Sequence, residues 1–179
     1  MEGIVILKPQ DVVILLKLIA IGKRTWSYSR MAGSLWMSPS AVHAGVKRIV
    51  KARLASIHQD SVIPNTRNLE EFLAHGVPYV FVPELGEVTR GMPTSYAGPA
   101  LSHFFQASDD LPPVWPDRDG EVRGQAFPPL YKSVPQAARE DGKLYELLTL
   151  VDAIRGGRSR ERKIACREIK KRLHRDAEK

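Results

Sequence analysis

Apolar side chains run almost unbroken through the first predicted element. Val12, Val13, Ile14, Leu15, Leu16, Leu18, Ile19 and Ile21 are interrupted by one charge, Lys17. Pro9 suits a first helical turn and Gly22 the residue past the end, so the pattern predicts a helix over residues 9–21. A helix apolar nearly all round is buried on several sides. Two readings are open: one side belongs to a second subunit, or this is a central core helix. A second helix is predicted over residues 27–35, with Tyr28, Met31, Ala32 and Leu35 at helical spacing. After a break at Trp36 and Met37, Ser38-Pro39 supplies a hydroxyl N-cap followed by proline at the first helical position. The third helix then extends to about Ala52. Val42, Val46, Ile49 and Val50 share one face, while Ser40, Ala44, Lys47, Arg48 and Lys51 lie opposite.

Eleven of the 13 prolines fall between Pro64 and Pro135, which predicts helical ends around a middle of strands, turns and extended connections. Residues 55–62 read as a strand with a short wing. Leu69, Phe72 and Leu73 predict a helix over residues 68–75, stopped by Gly76. By composition, residues 79–82 make a strand, 83–86 a turn and 87–90 a return strand, a second candidate for the wing. Residues 91–132 combine prolines with Tyr96, Phe104, Phe105, Trp115 and Phe127. Such a stretch needs a surface: the protein's own core, a ligand pocket or a partner protein. Ser133-Val134-Pro135-Gln136 matches a capping box opening a short helix. Leu144, Leu147, Leu148, Val151 and Ile154 form a helical stripe ended by Gly156-Gly157. A last helix, from Ser159 to about His174, carries a thin stripe of Ile164, Ala165, Ile169 and Leu173 and completes a helical hairpin.

Charge changes the picture when it is divided along the chain. Residues 1–54 carry +7, residues 55–154 carry −7 and residues 155–179 carry +7, within a net charge of +7. Basic ends attract polyanions and release counterions from nucleic acid. The competing reading folds the acidic middle over the basic ends. The outer face of the third helix suits a major groove, with small residues for close approach and long cations for phosphates and guanine edges. His43 near its start is either part of that face or a histidine without a contact role.

The order of elements then matters more than any one residue. A buried helix, a short helix, the turn Met37-Ser38-Pro39-Ser40 and a capped helix containing Lys47-Arg48-Ile49-Val50 resemble the winged helix-turn-helix of prokaryotic MarR-like regulators. The resemblance covers roughly residues 8–65. It implies double-stranded DNA as the partner, contacted by Ser38, Ser40, His43, Ala44, Lys47 and Arg48, with Lys51 and Arg53 beside them. Two positions depart from simple expectation. Arg53 stands where such regulators often close the recognition helix with glycine. Gly45 sits inside the helix at a cost of up to about 1 kcal/mol, which implies close approach of DNA or of another helix.

Several classes are excluded or disfavoured. No apolar run approaches the roughly 18 residues of a membrane span, and Lys8, Pro9, Gln10 and Asp11 interrupt any secretory design, so a cytoplasmic location is expected. One cysteine, Cys166, precludes an internal disulfide and any multi-cysteine zinc site; its cationic neighbours favour the thiolate if it is exposed. Nucleotide-binding glycine loops and hydrolase or metalloprotease motifs are absent, and the five histidines lack metal-ligand spacing. Asp109-Asp110 and Asp117/Asp119 read as solvated turn residues rather than a magnesium site. Neither enzyme activity, nor a cofactor, nor a metal is expected.

The expected fold is mainly α with small β, an α+β chain. It divides into a winged helix-turn-helix domain (residues 1–90), an extended proline- and aromatic-rich segment (91–132) and a basic C-terminal helical region (133–179). The expected function is sequence-specific DNA binding by a homodimeric transcriptional regulator. One alternative is an antitoxin-like or defence-system module that neutralises a partner protein and autoregulates. Another is a non-specific binder of RNA or single strands through the basic C-terminus. Lys47→Ala and Arg48→Ala are each expected to weaken DNA binding with little loss of stability.

Overall fold

The computed structural model describes residues 3–106 and 109–175. Its mixed helices and small sheets make it α+β. The chain opens with helices α1 (Pro9–Ile21), α2 (Tyr28–Leu35) and α3 (Pro39–Lys51), then strands β1 (Ala55–His58) and β2 (Ser61–Pro64). Helix α4 (Thr66–His75) leads into one further turn, α5 (Val77–Val80). Strands β3 (Val88–Pro93), β4 (Pro113–Pro116) and β5 (Val122–Ala126) follow, and helices α6 (Val134–Glu140), α7 (Gly142–Gly156) and α8 (Ser159–His174) complete it. No helix among the described residues is long and apolar enough to cross a membrane.

The two most apolar helices form the centre. Residues 11–18 of α1 are all buried, and α1 packs on α3, α7 and β2. Its apolar circumference is therefore covered within one chain. The lone charge of its apolar run is also accounted for. Lys17 Nζ lies 2.8 Å from Asp141 Oδ2, and Asp141 Oδ1 accepts the backbone N–H groups of Lys143 and Leu144 at the start of α7. Burial raises the Asp141 pKa, but Lys17 and the two N–H groups outweigh it, leaving the carboxyl below its ordinary range. Helix α7 is buried from Leu147 through Arg155, well beyond its predicted stripe. Helix α8 runs back along it: Arg162 Nε donates to the Ile154 carbonyl and Arg172 Nε reaches Glu146 Oε2, an antiparallel course.

The proline-rich middle wraps the protein's own core. Strand β3 pairs antiparallel with both β4 and β5, and β4 runs parallel to β5, closing a three-stranded barrel. Gly91 allows this closure, since a Cβ there would stand 2.0 Å from the Trp115 carbonyl oxygen. The barrel is tied to α7 through Asp152, which is 1% exposed. Its carboxylate accepts Thr94 Oγ1 and Trp115 Nε1, each at 2.6 Å, and Arg155 Nε at 2.8 Å. Arg155 also donates to the carbonyls of Phe81 and Pro128, so three loops converge on one ion pair. A buried charge pair with every polar group satisfied fixes its neighbours.

Three sequence expectations are corrected. Residues 79–82 are not a strand: Tyr79 and Val80 lie in the helical turn α5, whose backbone N–H groups bond to the Gly76 carbonyl. Gly76 adopts a right-handed helical conformation, and Pro78 in a first turn loses no hydrogen bond. Burial of Val77 and Pro78 outweighs the β preference of the valines. The second hairpin is consequently absent, and residues 88–93 belong to the barrel. The predicted capping box at Ser133 is not formed either. Its hydroxyl instead donates to the Leu35 carbonyl at 2.6 Å, stitching α6 to the end of α2.

Candidate nucleic-acid interface

The turn between α2 and α3 is built from local chemistry. Ser27 Oγ accepts the Arg30 N–H to start α2. Trp36 closes it in a left-handed conformation (φ 54°), with its N–H bonded to the Ala32 and Gly33 carbonyls. Ser38 Oγ then accepts the Ala41 N–H at 3.2 Å, and Pro39 occupies the first turn of α3. Met37 is buried inside this turn, while Trp36 lies largely outside.

Helix α3 divides sharply into two faces. Val42, Gly45, Val46 and Ile49 are buried; Ser40, His43, Ala44, Lys47 and Lys51 are exposed. Ser38 and Arg53 are exposed at the two ends. Ser38 Oγ also lies 3.1 Å from Ser40 Oγ. The His43 ring packs 5.0 Å from Tyr28, which contacts Trp26 at 5.2 Å. This aromatic row orients the histidine without removing it from solvent. Gly45 is explained by a second helix: a Cβ there would meet Ile14 Cδ1 at 2.5 Å and Asp11 Oδ1 at 3.0 Å.

Arg48 departs from the expected outer face. It is turned toward α1, where Nη2 and Nε meet the two carboxylate oxygens of Asp11 at 2.7 and 2.8 Å. Its side chain is 19% exposed and that of Asp11 only 1%. The hydrogen bond to Asp11 raises the Arg48 pKa. Asp11 also accepts the Lys8 N–H at 2.8 Å and so caps α1. Arg48 is thus a brace between α1 and α3. Sequence reasoning missed Asp11; the available signals were an acid in the first turn of an apolar helix and a glycine on the facing one.

The end of α3 resolves the absence of the expected glycine. Arg53 takes φ 60° itself, its N–H bonds to the Val50 carbonyl, and its own carbonyl accepts Asn68 Nδ2 at 2.8 Å. Beyond it, β1 and β2 form a hairpin in which His58 faces Ser61 across Gln59 and Asp60. Both turn residues have positive φ (46° and 64°), matching the twist of a two-residue hairpin. Residues 55–64 contain no lysine or arginine.

The basic C-terminal helix is differently committed. Glu70 lies 3.0 Å from Lys170 Nζ and 2.8 Å from His174 Nε2, while Glu168 takes Lys171 at 2.8 Å and Arg172 at 3.1 Å. Burial raises the Glu70 pKa, but His174 and Lys170 outweigh it; Lys171 leads the lowering of the Glu168 pKa. Arg160 and Arg167 lie over the rings of Phe105 and Phe104. Cys166 is half-buried, and burial pushes its thiol up against the opposing effect of Arg162. Asp117 pairs with Arg139 and accepts the Asp119 N–H. No group of three or more His, Cys, Asp or Glu side chains suited to a metal ion occurs among the described residues. Comparison with protein-family models, curated proteins and solved structures yields no match to this chain.

Proposed function

We propose that this chain is a sequence-specific double-stranded DNA-binding protein that acts as a prokaryotic transcriptional regulator through an N-terminal winged helix-turn-helix. The observation that carries the reading is the division of α3 into a largely buried apolar face and an open face of small residues and cations. Ser40 and Ala44 permit close approach to base edges, Lys47, Lys51 and Arg53 reach phosphates, and His43 offers a ring nitrogen near the helix start. Ser38 caps the helix and stays exposed at its N-terminus, the end that favours a phosphate. Arg48 serves this face indirectly, by fixing α3 against α1. The β1–β2 hairpin is the wing; lacking cations, it contributes polar contacts from His58 and Gln59. A homodimer would present two such helices to a pseudo-palindromic site.

The competing C-terminal reading is weakened by the carboxylates and rings that already engage α8. The test is binding of the purified protein to duplex DNA from its own promoter region and to an unrelated duplex, with salt varied for both. The expected result is a preference of about 10³ or more for the cognate fragment and a steep loss of affinity with salt. Lys47→Ala weakens binding to both. Equal binding to the two duplexes, or none at moderate salt, refutes the reading; the latter favours a partner-protein module.

A further inference from the structure

A cavity of about 830 Å³ opens beside the three-stranded barrel, far along the chain from α3. Its walls come from the segment before β3, the 3₁₀ turn Ser95–Ala97, the loop before β4 and the junction of α7 with α8. Pockets of roughly 300–1,000 Å³ suit drug-sized molecules rather than a protein element. Tyr96, Phe105 and Phe127 supply aromatic walls, with Leu85, Val88 and Leu111 as aliphatic ones. Those three aliphatic side chains are about half exposed, at 53%, 45% and 47%, so the mouth is apolar as well as the interior.

The charge of this cavity runs against that of the chain. Glu87, Asp109, Asp110 and Glu161 line it with one guanidinium, Arg158, within a protein of net charge +7, and Glu161 Oε2 accepts the Arg158 N–H at 2.9 Å as the cap of α8. The Tyr96 phenol registers this environment: burial chiefly raises its pKa, Glu161 and Asp110 raise it further, and Arg158 opposes them. Two of the aromatic walls already hold cations from the chain itself. Arg155 lies 5.0 Å from the Phe127 centroid and Arg160 5.9 Å from that of Phe105, and neither arginine lines the cavity. Aromatic faces attract cations, and nearby carboxylates reinforce the attraction.

We infer that this cavity binds a lipophilic organic cation, its apolar body against Tyr96, Phe105, Phe127 and the aliphatic mouth, and its charge toward Glu87 and Asp109. An anion meets repulsion from Glu87 and Asp109, and a neutral molecule of the same shape gains only the apolar contacts. The inference is independent of DNA binding, because it is read on the protein alone.

Tetraphenylphosphonium and tetraphenylborate, nearly identical in shape and opposite in charge, form the test by titration calorimetry on the full chain. The expected result is saturable binding of the cation at least ~10-fold tighter than that of the borate. The double variant Glu87→Gln/Asp109→Asn loses about tenfold in affinity for the cation, and Val88→Arg, which sets a positive charge at the mouth, abolishes its binding. All three positions are exposed, so the variants keep the fold. Equal or anion-favoured binding, no saturable binding, or unchanged affinity in the variants overturns the inference.

Discussion

Replacing Arg48 by alanine separates a brace from a DNA contact. The substitution removes both hydrogen bonds to Asp11, whose carboxylate is 1% exposed and cannot rehydrate without opening the α1–α3 contact. Stranding one partner of a buried pair costs about 3–5 kcal/mol. Here the Lys8 N–H still bonds to Asp11 and the start of α1 favours a negative charge, which offsets about 1 kcal/mol. The expected loss is therefore about 2–4 kcal/mol. Urea denaturation followed by circular dichroism measures it as a lowered midpoint at unchanged slope. Lys47→Ala, one residue away on the exposed face, stays within about 0.5 kcal/mol of the parent. The pair Asp11→Ala/Arg48→Ala is less destabilised than the sum of the single variants, by about 1–3 kcal/mol. If Arg48→Ala is as stable as Lys47→Ala, the bracing argument is wrong and Arg48 returns to the candidate contact face.

Three further outcomes follow from the same geometry. Arg53→Gly relieves a left-handed residue without a Cβ clash and raises stability by about 0.5–1 kcal/mol in urea melts, while weakening DNA binding if Arg53 reaches a phosphate. Gly91→Ala drives a methyl group into the Trp115 carbonyl and collapses the barrel pairing, lowering stability by at least about 3 kcal/mol, visible as lost near-ultraviolet signal of Trp115. Acid weakens the α4–α8 contact at Glu70, the ion pairs of Glu168 within α8 and the α1–α7 contact at Asp141, since all three carboxyls have folded-state pKa values below their ordinary ones. Their contribution is complete above the ordinary carboxylate range of about 4 and is lost as pH falls through the lower folded values, so melting temperature holds near neutrality and drops below that range. A melting temperature unchanged down to about pH 2 contradicts the assignment of these carboxylates as ion-pair partners.

Legibility in the sequence followed the range of the interactions involved. Helix α1 was readable to its ends because Pro9 and Gly22 act locally, and α8 because its stripe and the preceding glycines do. Residues 79–82 were not, since the valines there favour strands and only the burial of Val77 and Pro78 draws Tyr79 and Val80 into a helical turn. Ser133 shows the same limit: its capping-box pattern is local, but its hydroxyl is claimed by Leu35, 98 residues away. At the candidate interface, the small and cationic outer positions of α3 followed from helical geometry alone. Arg48 did not, because at 100° per residue it sits at the border of the two faces, and Asp11 decides its direction. The Asp152 cluster left no trace in the sequence, joining Thr94, Trp115 and Arg155 from separate segments.

The segmental charge was the strongest sign of a polyanionic partner, and the structure redistributes its weight. At the C-terminus, Glu70, Glu146 and Glu168 engage Lys170, Lys171, Arg172 and His174, so much of that positive charge is neutralised at short range. At the N-terminus, Lys17 pairs with Asp141, Arg48 with Asp11, and Arg24 bonds to the last carbonyls of α1. Among the described residues, Lys47, Lys51 and Arg53 have no carboxylate within ion-pair distance and lie along one helix and its closing residue. Cations held by fixed carboxylates release few counterions on meeting phosphate, because their own partners must first be displaced. Uncompensated cations carry the salt dependence. Exposed Arg158, Arg160, Lys163 and Arg175 at the C-terminus likewise have no carboxylate partner among the described residues, so salt dependence alone does not separate the two ends and the Lys47→Ala variant must.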